Sequence, residues 1–132
     1  MRNFKIEKDF MIDNYRCIII GVSLGHRCGY VGLPKEHKYY GVDYDDIGID
    51  VHGGLTFEGM GNGYPVEDDR YWIGFDCAHY NDAKDFDLIK ELNDDNTYNT
   101  FYDIERRFPT GGEMRTTEYV ESQIIELVNQ LQ

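Results

Sequence analysis

The stretch YRCIIIGVSLGHRCGYVGL, residues 15–33, decides the fold. Residues 15–24 are rich in β-branched side chains, and the longest apolar run, Cys17 to Leu24, is strand-sized. That pattern marks a strand buried on both faces, or nearly so. Gly25 and His26 supply a turn, and residues 28–33 (CGYVGL) resume an extended pattern, so the two segments form a hairpin. Upstream, residues 5–10 are placed to pair with the first strand. Downstream, Pro34 ends the second, and residues 34–41 read as a turn or a single helical turn. Residues 47–51 alternate apolar positions with Gly48 and Asp50, which predicts a third strand, and residues 55–57 continue the extended pattern. Residues 58–69 hold Gly59, Gly61, Gly63, Pro65 and several acids, and read as a mobile surface loop. Residues 71–77 (YWIGFDC) are aromatic and predict a central fourth strand.

After residue 78 the texture changes. Residues 85–92 fit a short helix with Phe86, Ile89 and Leu92 on one side. Residues 93–99 are polar and loop-like, and residues 101–108 are ambiguous before Pro109, Gly111 and Gly112 break the chain. The terminal segment is the clearest helix. Thr116 or Thr117 caps it, Glu118 and Glu121 place negative charge in its first turns, and Val120, Ile124, Leu127, Val128 and Leu131 make one apolar stripe. A stripe one face wide requires a sheet or a partner to cover it. The predicted architecture is α+β, a single domain over residues 1–132: a mainly antiparallel sheet with a C-terminal helix packed on one face. A homodimer through that helix is the alternative use of the stripe.

The 132 residues are 41% hydrophobic and 14% aromatic, enough to build a core without disulfide or metal. Asp and Glu outnumber Lys and Arg by 25 to 13, a formal charge of -12. Such a surface repels phosphate backbones and anionic lipid, which argues against direct nucleic-acid or membrane binding. No apolar run approaches the roughly 20 residues of a membrane span, and the charged N-terminal residues 1–10 contain no signal-peptide core, so a cytoplasmic protein is expected. Cys17, Cys28 and Cys77 stand far apart without a CxxC pair, which excludes a finger-type zinc site and suggests free, buried thiols. A nucleophilic Cys77 near His79 is the sharper alternative.

Two segments concentrate His, Asp, Gly and aromatic residues beside strand ends: YDDIGIDVHGGLTF, residues 44–57, and WIGFDCAHYND, residues 72–82. On a strand Asp50 and His52 would share a face, and Gly53-Gly54 would let the backbone turn or approach a ligand closely. If the second segment leaves its strand near Cys77 and makes one turn, His79 and Asp82 share a side, near Asp76. Asp50, His52, Asp76, His79 and Asp82 could thus converge, with Trp72 nearby. Imidazole plus carboxylate suits Zn²⁺, Mn²⁺ or Fe²⁺, or a general base without metal. The same groups serve equally as a polar network that staples loops, or as a ligand site without chemistry. No cofactor is indicated. The glycines of GMGNG, residues 59–63, lack the Lys-Ser/Thr of a phosphate loop. Arg106, Arg107 and Arg115 are either paired and solvated or a local anion site. Asp43, Asp45 and Asp46 form an acidic cluster that is either solvated or a contact for a basic partner.

Residues 25–57, then WIGFDCAHYNDAKD at 72–85, then the helix TTEYVESQIIELVNQL at 116–131, resemble a family of small uncharacterised proteins encoded mostly by tailed bacteriophages and prophages. The resemblance covers about residues 25–132 and rests on Val51 to Thr56 (VHGGLT) and Gly74 to His79 (GFDCAH), with Cys28 to Val31, Tyr44 to Ile47 and Asp82 alongside. It implies a small accessory protein of a phage or mobile element and carries over no catalytic role. It directs expectation toward a non-enzymatic inhibitor of host antiviral defence. One route is binding of a basic host protein in place of nucleic acid, as anti-CRISPR proteins do. The other is sequestration of a nucleotide second messenger in a pocket of Tyr side chains, Trp72 and His52. The alternative is a metal-dependent hydrolase acting on a nucleotide or phosphoester through the His/Asp cluster.

Overall fold

The computed structural model describes residues 3–132; Met1 and Arg2, which begin the charged N-terminal stretch, lie outside the described residues. A five-stranded antiparallel sheet organises the chain. Its strands are β1 (Phe4–Ile12), β2 (Tyr15–Val22), β3 (Arg27–Leu33), β4 (Phe57–Asn62) and β5 (Glu67–Asp76), in the spatial order β1-β2-β3-β5-β4. The hairpin read from residues 15–33 is present, with Cys17 opposite Val31 and Ile19 opposite Gly29. The N-terminal strand pairs with β2, Phe10 opposite Cys17, and its register shifts between Ile6 and Lys8. Helices α1 (Phe86–Leu92), α2 (Asp95–Arg107) and α3 (Thr117–Leu131) follow, with a two-residue parallel ladder between β6 (Asp82–Ala83) and β7 (Glu113–Met114). No helix among the described residues is long and apolar enough to cross a membrane.

Strand alternation sorts the core onto two faces. Cys17, Ile19, Val31, Leu33, Ile73 and Phe75 face the C-terminal helix and meet Val120, Ile124, Leu127, Val128 and Leu131. All five stripe residues of α3 are buried on the sheet, so a homodimer through α3 would have to use its other side, where Ser122, Ile125 and Asn129 are exposed. Thr116 caps the helix by accepting from the Tyr119 N–H at 3.1 Å. Gly29 has no Cβ because Phe75 and Val120 occupy that space. The opposite face carries Ile18, Ile20, Cys28, Tyr30 and Trp72 and has no helix over it. It is closed by curling: Tyr64, in the turn between β4 and β5, folds back to meet Phe4 of β1 with ring centroids 5.1 Å apart.

Three sequence expectations are corrected. Residues 47–51 form no strand. Their alternation reflects Ile47 and Val51 inserting into the α3-side core, while the backbone bonds to helix side chains instead of a neighbouring strand. Residues 58–69 are not an open loop: they hold most of β4 and the start of β5. The polar residues 93–99 contain the start of α2, whose cap Asp94 accepts from the Thr97 N–H at 2.7 Å. One buried ion cluster joins the elements. Arg27 contacts Glu7 at 2.7 Å and Asp85 at 2.9 Å, tying β1, β3 and the cap of α1 together.

Candidate functional site

Val51 anchors the segment that follows it in the core, and the next residue, His52, turns toward α3. Helix side chains hold this segment. Gln123 accepts the His52 N–H at 2.9 Å, and Gln130 both accepts the Asp50 N–H at 2.8 Å and donates to the Asp50 carbonyl at 2.7 Å. From the other segment, β5 ends at Asp76 and the chain turns, with the Asp82 N–H donating to the His79 carbonyl at 3.0 Å. The β6–β7 ladder then sets Asp82 beside Glu113, two residues before Arg115.

The two segments meet. His52 Nε2 lies 2.9 Å and 3.0 Å from the two Asp82 oxygens, and the His52 and His79 ring centroids are 5.9 Å apart. A carboxylate only accepts, so Nε2 carries the proton; in the neutral ring Nδ1 then accepts from the Tyr119 hydroxyl at 2.7 Å. Asp82 also accepts from Arg115 Nε at 2.8 Å and from the His79 N–H at 3.0 Å. Its side chain is 1% exposed. Burial pushes its carboxyl up, but the bonds from His52, Arg115 and the His79 backbone outweigh this and hold it below its ordinary value. The Arg115 guanidinium lies over the Tyr119 ring, 4.9 Å from the centroid. A second, more open pair stands beside this centre. His79 Nε2 lies 3.1 Å from Asp76, which also accepts from the Thr56 hydroxyl at 3.1 Å and the Ala78 N–H at 3.2 Å. Gly53, at φ +69°, makes the approach possible: a Cβ there would fall on the His79 imidazole.

Of the expected site residues, His52, Gly53, Asp76, His79 and Asp82 come together. Asp50 does not join them. It is exposed, because its segment is a loop in which the alternation of a strand does not apply. Gly54 shapes the same turn at φ +79° without a close neighbour. Trp72 points to the opposite face of the sheet, fully buried, with its indole N–H on Asp68 at 2.8 Å. Sequence reasoning missed Tyr119 and Gln123 as members of the centre and left Arg115 unplaced. Their signal is a polar stripe on α3, Tyr119, Gln123 and Gln130, running beside the apolar one at helical spacing. Arg115 proves to be paired, and Arg106 and Arg107 both bond Asp103.

The Asp82–His52–Tyr119 chain has the order of a proton relay, yet it ends on a hydroxyl that burial pushes above its ordinary value, opposite to what a nucleophile needs. Three donors, the His52 ring, Arg115 and the His79 N–H, converge on Asp82. Cys77 is buried, and burial raises its thiol to about 12, opposite to what a nucleophile needs. Among the described residues, no three His, Cys, Asp or Glu side chains are grouped to hold a metal ion. The bonds of His52, Asp82, Tyr119, Gln123 and Arg115 latch two loops to the start of α3. Comparison with protein-family models, with curated proteins and with solved structures finds no match.

Proposed function

We propose that this protein is a non-enzymatic inhibitor of host antiviral defence, acting in the host cytoplasm by occupying the nucleic-acid channel of a basic host protein. The observation that carries this reading is an acidic cluster without compensating cations. Asp43, Asp45 and Asp46, around the single 3-10 turn Tyr44–Asp46, stand near Glu58 of β4, and none of the four has an ion-pair partner among the described residues. Glu58, then Asp46 and Asp45, repel the charge on Asp43 and raise its carboxyl above the ordinary value. Many other acids are spent internally: Glu7 and Asp85 on Arg27, Asp9 and Asp68 on Arg16, Asp82 on Arg115. These four carboxylates, part of a chain-wide excess of -12, are thus free to face a basic partner, where opposite charge speeds encounter.

Two other readings have less support. A nucleotide sponge needs cations for phosphate, and among the described residues no Lys or Arg lines the cavity on the open sheet face, about 440 Å³. A metal-dependent hydrolase needs a ligand set, and His52 and Asp82 are committed to each other. The experiment is a plating assay: the protein is expressed in bacteria whose CRISPR immunity targets a tester phage. Plating should rise, and Asp43→Lys/Asp45→Lys/Asp46→Lys should abolish the rise while leaving the fold intact. No rise in any defended strain, or full activity in the charge-reversed variant, would refute the proposal.

A further inference from the structure

The uncovered face of the sheet holds a cavity of about 440 Å³, within the size range of small-molecule sites. Its walls include Phe4, Tyr30, Phe57 and Tyr64. These rings brace one another edge to face, with centroids 5.1–5.6 Å apart, and the Tyr30 and Tyr64 hydroxyls share a 2.6 Å hydrogen bond. The walls are thus set before any ligand arrives.

His26 and Asp76 supply the cavity's polar pair. His26 sits in the turn between β2 and β3, is half-buried, and its imidazole makes no hydrogen bond among the described residues. It also lines a smaller cavity of about 200 Å³ beside His79. Burial holds its ring below the ordinary imidazole value, so it is kept neutral, with one nitrogen to donate and one to accept. Asp76 is partly exposed; one of its oxygens takes the single bond from Thr56 and keeps a lone pair. An unpartnered imidazole and a carboxylate with acceptor capacity, at the end of an aromatic slot, match the edge of a flat heterocycle. The carboxylate takes ring or amino N–H groups and the imidazole N–H meets a ring acceptor. Among the described residues no Lys or Arg lines this cavity, so its carboxylate disfavours phosphate.

We propose that this cavity binds a phosphate-free nucleobase or nucleoside, its ring against the aromatic walls and its polar edge on His26 and Asp76. This site is separate from the acidic cluster and does not depend on the inhibitor reading.

The test is a titration of the ¹⁵N-labelled protein with guanosine, adenosine, cytidine and uridine, and with their 5′-monophosphates. At least one nucleoside should shift the amides of His26, Phe57 and Cys77, and its monophosphate should bind at least tenfold more weakly. His26→Phe and Asp76→Asn, each checked for wild-type melting, should each weaken binding at least tenfold; a variant that fails to fold leaves the other to decide. No binding at millimolar nucleoside, shifts confined to other surfaces, or equal affinity for the monophosphate would each overturn the site. His26→Phe should leave phage plating unchanged, so the two proposals fail separately.

Discussion

Asp82 is the residue on which the two His motifs depend. Its charge is buried and satisfied by His52, Arg115 and the His79 backbone. Asp82→Asn keeps the shape but removes the charge opposite Arg115, and should destabilise the fold by about 2–4 kcal/mol in urea denaturation. Because its folded value is lowered, the stability Asp82 contributes is complete above about pH 4 and is lost as pH falls through that lowered value. Asp82→Asn should flatten that acid limb. His26 acts in the same sense at higher pH. Its ring is also lowered, mainly by burial, and the charged groups facing it are Asp76, Lys84, Asp82 and His79. Its contribution is full above about pH 6.5 and declines as pH falls below that, a slope that His26→Phe should reduce in melting curves. The thiols of Cys17, Cys28 and Cys77 are buried and each raised to about 12. None should react with a disulfide reagent at pH 8 until guanidinium unfolds the chain, when all three should. The meeting of His52 with His79 and Asp82 was suggested by residue type; Tyr119 was hidden because a Tyr beside an apolar helix stripe looks like ordinary packing.

Among the elements, α3 does two jobs with adjacent faces. Its apolar stripe covers the sheet, so Ile124→Ala should cost about 2–5 kcal/mol. Its polar stripe replaces the strand that residues 47–51 lack. Gln130→Ala should leave the sheet intact while the Asp50 amide loses hydrogen-exchange protection, with little change in global stability. Elements with strong single-face or two-face patterns, β2, β3, β5 and α3, were legible. β4 was not, because Gly59 and Gly61 give it no propensity and its pairing with β5 is set by tertiary contact. α2 was not, because it has no buried residue. Its aromatics lean on α1, Phe86 lying 6.4 Å from Tyr98 and 6.3 Å from Tyr102, and so display no core stripe.

For the whole molecule, class and charge were readable from composition and pattern, while the cavity was not. It arises from the curl that brings Tyr64 back to Phe4, and no local periodicity encodes that closure. The fold also sets an order of assembly. β1, β2 and β3 join through two tight turns, whereas β3 must wait for β5, with Leu33 paired to Tyr71 across the whole intervening chain. Closing that long excursion costs entropy before any sheet contact repays it. Refolding kinetics should therefore be gated by docking of the β4–β5 hairpin onto a preformed three-stranded meander.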